Sequence, residues 1–130
     1  VSATALINDT KTAMINDKQS AMWDYVNNDI NTVDGKTAFE CSKLGDKTAN
    51  KVVDDYVMYL SESIMNMLNV FRPHAFLLGG GICNQGEYLT NKVVKYLEKF
   101  DYGYKHAPKT KILTATLKNG AGIIGAAALV

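Results

Sequence analysis

The residues of this chain best suited to hold a ligand are Leu77-Leu78-Gly79-Gly80-Gly81-Ile82-Cys83-Asn84-Gln85-Gly86. Three consecutive glycines straight after an apolar run remove every Cβ, so a flat or charged ligand can lie against bare backbone and its free N–H groups. A helix opening near Gly86 adds its positive end at the same place. Gly79, Gly80, Gly81 and Gly86 are therefore the candidate binding residues, with a plain flexible turn as the alternative.

The other chemical motifs fail on context. Gly120-Ala121-Gly122-Ile123-Ile124-Gly125 matches the dinucleotide fingerprint, which needs a further strand and an acidic residue about 20 positions on to hold a ribose. Only five residues follow Gly125. Close helix packing through Ala121, Gly122, Gly125 and Ala126 is the better reading. Asp34-Gly35-Lys36-Thr37 imitates the end of a phosphate loop, yet Ile30 stands where that loop needs its first glycine. It reads as a turn leading into a helix cap. His74 and His106 lack partners at metal-ligand spacing, and Asp54 with Asp55 reads as a solvated helix flank. Cys41 and Cys83 are far apart and form no C-x-x-C pair, so reduced thiols are expected, with neither a disulfide framework nor a metal site.

The elements that must position the glycine run are legible from periodicity. Ala49, Val52, Val53, Tyr56, Val57, Leu60, Ile64, Met67, Leu68 and Phe71 follow the helical spacing and predict one amphipathic helix from Asp46 to Phe71. Gly45 closes what precedes it, Asp46 caps its start, and Pro73 forces its stop. Shorter helices are expected at Ala3 to Ile15, at Lys18 to Asn27, and from Thr37, where Thr37 and Glu40 fit a capping box. Ala75 to Leu78 reads as a strand buried on both faces. Glu87 to Phe100 returns to helical spacing, Lys111 to Leu117 is a second strand, and Gly120 to Leu129 is a small-residue helix. The second half is thus a βαβ unit with flanking helices, and a sheet of two strands needs further neighbours to be stable.

Composition bounds the function. With 130 residues, 47% hydrophobic and 21% charged, the chain is an ordinary globular domain able to bury roughly 68% of its unfolded surface. A net charge of +1, with a single arginine, carries no electrostatic footprint for nucleic acid or membrane. No apolar run reaches the length of a membrane span and no leader pattern opens the chain, so a cytoplasmic protein is expected. The first residue is Val1, which suggests a piece of a longer protein.

Four landmarks then carry a family resemblance: Gly45-Asp46; Asn69-Val70-Phe71-Arg72-Pro73; Leu78-Gly79-Gly80-Gly81-Ile82; and Asn119-Gly120-Ala121-Gly122-Ile123-Ile124-Gly125-Ala126-Ala127-Ala128. In this order and separation they resemble the C-terminal part of ROK-family sugar kinases, a family that also contains transcriptional repressors. Ala3-Thr4-Ala5-Leu6 is similar to the helix that follows the family's zinc motif, so the resemblance spans essentially the whole chain. It implies a helix-rich α/β chain, part of an actin-like, ribonuclease H-like lobe with a βαβ unit and missing strands. Residues 1–45 would be the helical segment of that lobe and 46–130 its nucleotide side.

The resemblance further implies that ATP binds between two lobes and that its γ-phosphoryl passes to a sugar hydroxyl, with glucose the expected hexose. Gly79, Gly80 and Gly81 would match the adenosine-contacting loop. Gly120, Ala121, Gly122, Gly125 and Ala126 would match the helix at the interlobe hinge. This chain departs from the family at Lys118-Asn119-Gly120-Ala121-Gly122, where Gly-Asn-Asp-Ala-Gly is common, and at Cys83, where Ser is common. The phosphate turn, the sugar-binding Glu-x-Gly-His and the Cys-x-Cys-Gly zinc cluster do not occur in it. Magnesium and zinc sites are therefore expected in a parent protein, upstream of Val1, and no catalytic residue in these 130. The functional alternatives are a sugar-responsive repressor or a non-catalytic interaction module. Exposed strand edges imply a homodimer or other self-association.

Overall fold

Ser2 starts the first helix, α1 (Ala3–Asn16), because its hydroxyl accepts the otherwise free Ala5 N–H at 3.1 Å. The computed structural model describes residues 2–101, 103, 106 and 108–116. They fall into two units, Val1–Tyr59 and Leu60–Val130, with the division inside one long helix.

In the first unit α1 buries Leu6, Thr10 and Met14, four residues apart on one face, and Thr10 donates back to the Leu6 carbonyl at 2.7 Å. A short helix, α2 (Met22–Tyr25), follows and is tied to α1 by the Trp23 indole N–H, which donates to the Met14 carbonyl at 2.8 Å. The expected helix from Lys18 to Asn27 is thus cut to a single turn. Asp17 takes the Gln19 N–H in a local side-chain turn, and Asn27 and Asn28 adopt left-handed φ of 52° and 60°, which no helix continues through.

The next helix, α3 (Thr37–Lys43), has Lys36 at its N-cap and not Thr37, and Lys36 itself makes no side-chain cap bond. The Asp34 carboxylate accepts the Thr37 N–H at 3.0 Å while the Thr37 hydroxyl accepts the Asp34 N–H at 3.1 Å. The reciprocal box is therefore Asp34 with Thr37, and Glu40 pairs with Lys43 at 2.9 Å instead. At the other end, Asp46 N–H reaches the Cys41 carbonyl and Gly45 N–H the Ser42 carbonyl, with Gly45 at φ 91°. This is a Schellman close that needs glycine at the left-handed position.

Asp46 then opens α4 (Lys47–Phe71) by accepting the Ala49 N–H at 2.7 Å, and the same carboxylate binds the Ser20 hydroxyl and the Ala21 N–H. Phe39, fully buried, meets Tyr56 edge-on at 6.2 Å in the core of this unit.

The second unit begins with the rest of α4, which buries Ile64 and Leu68 and stops at Phe71 before Arg72, at φ 43°, and Pro73. Strand β1 (Ala75–Leu78) pairs in parallel with β2 (Lys111–Thr114) in the register Leu77 to Leu113, and α5 (Gly86–Phe100) forms the crossover. Leu89, Val93 and Leu97 are the buried stripe of α5. β1 is not buried on both faces. Leu78 and Ile112 are covered, whereas Leu77 and its partner Leu113 are 63% and 45% exposed. A strand alternates its side chains between two faces, and in this unit one face of the pair is open. The βαβ unit is thus present as read, and β2 ends at Thr114; Leu117 lies outside the described residues.

Candidate functional site

In a parallel βαβ unit the carboxyl ends of the strands and the start of the crossover helix meet at one rim, the usual place for ligands in α/β sheets. Here that rim is built from the Leu78 carbonyl outward. It accepts the Ala115 N–H at 2.8 Å, which extends the ladder past β2, and also the Cys83 thiol at 2.8 Å. One oxygen thereby holds together the end of β1, the residue after β2, and the turn that leads into α5.

That turn is a 3-10 segment, Gly81–Gln85, not a slack loop. Gly80 enters it at φ 84°, ψ −172°, and Gly86 leaves it at φ 53°, ψ −133°. Both conformations are essentially closed to residues with a Cβ. Gly79 and Gly81 lie outside the left-handed region, and an added Cβ at either would meet nothing within 4 Å. Positive φ therefore explains the glycines at 80 and 86, whereas neither φ nor a neighbour within 4 Å demands glycine at 79 and 81.

Beside the turn lies a cavity of about 580 Å³ lined by Leu77, Gly86, Glu87, Thr90, Leu113 and Thr114 among others. Gly86 is the predicted site residue that lines it. Gly79, Gly80 and Gly81 form the connection from β1 into the turn. Glu87 and Thr90, three apart on the first turn and a half of α5, share a helix face. Sequence reasoning did not single them out, and their spacing is the signal that could have. The hinge-helix residues Gly120, Ala121, Gly122, Gly125 and Ala126 lie outside the described residues.

The remaining motifs resolve into structure. The His74 carbonyl accepts the Lys111 N–H at 3.0 Å at the start of the strand pair, and His106 is exposed. Asp55 pairs with Lys51 on the open face of α4 at 2.9 Å. Both cysteines are free and buried; burial first, then the Asp46 and Glu40 carboxylates, push the Cys41 thiol up to about 11. Cys41 is protonated at neutral pH and is no nucleophile. Among the described residues no three His, Cys, Asp or Glu side chains stand together as a metal site, and no helix is long and apolar enough to cross a membrane.

Charge is divided between the units in a way the total conceals. Residues 60–130 carry eight Lys and Arg against four Asp and Glu, and residues 1–59 carry six against nine. The unit that contains the glycine turn is the positive one, which favours an anionic ligand there.

Comparison with known proteins converges on one family. The ROK family profile matches residues 2–130. A glucokinase from Halalkalibacterium halodurans is 29% identical over 99% of this chain and 38% of its own length. A glucokinase from Thermotoga maritima is 30% identical over 75% of this chain and 30% of its own. Among solved structures, a ROK family glucokinase from Streptomyces griseus in complex with glucose and AMPPNP superposes on 100% of this chain with a TM-score of 0.88, at 24% identity, and is covered over 42% of its length. That likeness is one of fold. The chain spans about two fifths or less of the length of each of these relatives.

Proposed function

The chain belongs to the ROK family, and we propose that it forms the nucleotide-side part of a glucokinase-like sugar kinase, one that passes the γ-phosphoryl of ATP to a hexose hydroxyl. One observation carries the reading: a glycine run, open to solvent at Gly79 and Gly81, stands at the carboxyl end of β1 beside a cavity at the start of α5. Bare backbone suits the flat adenosine, and the helix start and the positive charge of this unit suit the phosphates. In this reading Gly79, Gly80, Gly81 and Gly86 hold the nucleotide.

Phosphoryl transfer also needs a phosphate cradle, a metal ion and a group that orients or deprotonates the attacking hydroxyl. Among the described residues no three His, Cys, Asp or Glu side chains stand together to hold the metal. The proposal therefore assigns them, with magnesium and the reading of the sugar, to the parts of the family fold that these 130 residues do not span. The role left to this chain is to bind and orient the nucleotide at the β1 end and the start of α5.

Titration of MgATP into the chain, followed through backbone amide NMR signals, tests this. Shifts confined to Gly79, Gly80, Gly81, Gly86 and their neighbours are expected. Saturating ATP that leaves these amides unmoved would refute the reading.

A further inference from the structure

The cavity beside the glycine turn has one charged wall. Glu87 is exposed and lines it, and among the described residues no Lys or Arg does so. No described donor holds the Glu87 carboxylate, so both of its oxygens remain to accept. Thr90 stands beside it on the same face of α5, and its hydroxyl donates back to the Glu87 backbone carbonyl at 3.4 Å. With its proton so placed, the Thr90 oxygen offers the cavity only lone pairs. This wall presents acceptors and asks for donors.

The opposite chemistry borders the same space. Leu77 and Leu113, partners across the strand pair, line the cavity and are 63% and 45% exposed. A ligand that fits has an apolar side and neighbouring donors. The parts of a nucleotide meet that demand unequally. A phosphate at neutral pH has no proton to give and shares the sign of Glu87, so it is not the part that enters the cavity. The ribose carries two adjacent hydroxyls, which one carboxylate can take together, and its C–H edges can rest on leucine.

We propose that Glu87 selects ribonucleotides: its carboxylate accepts hydrogen bonds from the 2′ and 3′ hydroxyls of the ribose, in the cavity it shares with Thr90, Leu77 and Leu113. The inference rests on the nucleotide reading above. An acidic side chain on a ribose hydroxyl is the same chemistry that dinucleotide folds use. A site that hydrogen-bonds a hydroxyl also discriminates against the analogue that lacks it. Glutamate in the first turn of a helix offsets the helix dipole as well, and that role alone predicts an effect on stability and no choice between sugars.

The test measures binding of ATP, 2′-deoxy-ATP, 3′-deoxy-ATP and purine riboside triphosphate, which lacks the base amine, to the wild-type chain and to Glu87→Leu. Wild type should bind each deoxy analogue about threefold to tenfold more weakly than ATP. The leucine variant should bind ATP with a similar loss and the deoxy analogues with no further loss. A wild type indifferent to both hydroxyls, or a variant that still prefers ATP to the deoxy analogues as wild type does, would overturn the proposal. So would a variant that loses discrimination only against the amine-free analogue, since the carboxylate would then read the base. If the leucine variant fails to fold, Glu87→Gln, which keeps the shape and one acceptor, takes its place and should show a smaller loss in the same direction. Failure of wild type to bind ATP at all would overturn the nucleotide reading and this inference with it. ATP binding indifferent to Glu87 would overturn this inference alone.

Discussion

The Cys83 thiol donates to the Leu78 carbonyl at 2.8 Å, and that bond fixes where the turn into α5 begins. Because the same oxygen also takes the Ala115 N–H, loss of the thiol leaves no buried acceptor unpaired. The contact positions the turn and is not what holds the strand pair together.

Cys83→Ser should therefore keep the turn, since a hydroxyl donates to the same oxygen, at a cost well under that of truncation. Cys83→Ala should lower stability by about 1 kcal/mol through the lost hydrogen bond and a little packing. Urea unfolding of the three proteins checks the order. A serine variant as unstable as the alanine variant would show that the sulfur packs and does not donate.

Acid should loosen the first unit through Asp17. Its carboxylate accepts the Thr48 hydroxyl at 2.5 Å, and this bond first, then the Gln19 N–H, holds its pKa below the ordinary 3.8. A folded pKa below the unfolded one contributes stability above the unfolded value, and that contribution is lost as pH falls through the folded value. Wild type should lose more stability than Thr48→Val between pH 6 and pH 2.5, with the variant already the weaker at pH 6. Parallel pH profiles of the two unfolding midpoints would contradict the assignment.

What could be read before any coordinates, and what could not, follows from the range of each interaction. The α4 helix was legible from Asp46 to Pro73 because its signals are local: a cap, a 3.6-residue stripe and a proline. Thr37 and Glu40 fit a box at the start of α3, but Asp34 stands at the same three-residue spacing before Thr37, and only the backbone geometry chooses between the two pairs. Met22, Trp23 and Val26 fit a longer helix, but left-handed Asn27 and Asn28 end it. Ala75-Phe76-Leu77-Leu78 is equally apolar whether one face is covered or two, so the exposure of Leu77 was not legible. At the site, the glycines could be read as a run. Which of them are demanded by φ depends on a fold around them.

The chain by itself should transfer no phosphoryl group to glucose. A coupled assay with glucose, ATP and magnesium, in material free of host kinases, should match its blank. Turnover above the blank would mean that these residues hold a base, a metal ligand and a phosphate cradle that the account places elsewhere.

The central claim is that the glycine run lies against a nucleotide, and Gly81→Ala tests it most directly. Gly80 would be a poor probe, since φ 84° strains any replacement whether or not a ligand binds. Gly81 lies outside the left-handed region with open space where the methyl would go. Alanine there should leave the free chain as stable as before or more so, by about 0.4–1 kcal/mol through the unfolded state. ATP affinity, measured by titration on both proteins, should fall at least tenfold, because the methyl would occupy the space of the adenosine. A variant that melts like wild type and binds ATP with unchanged affinity would contradict the account.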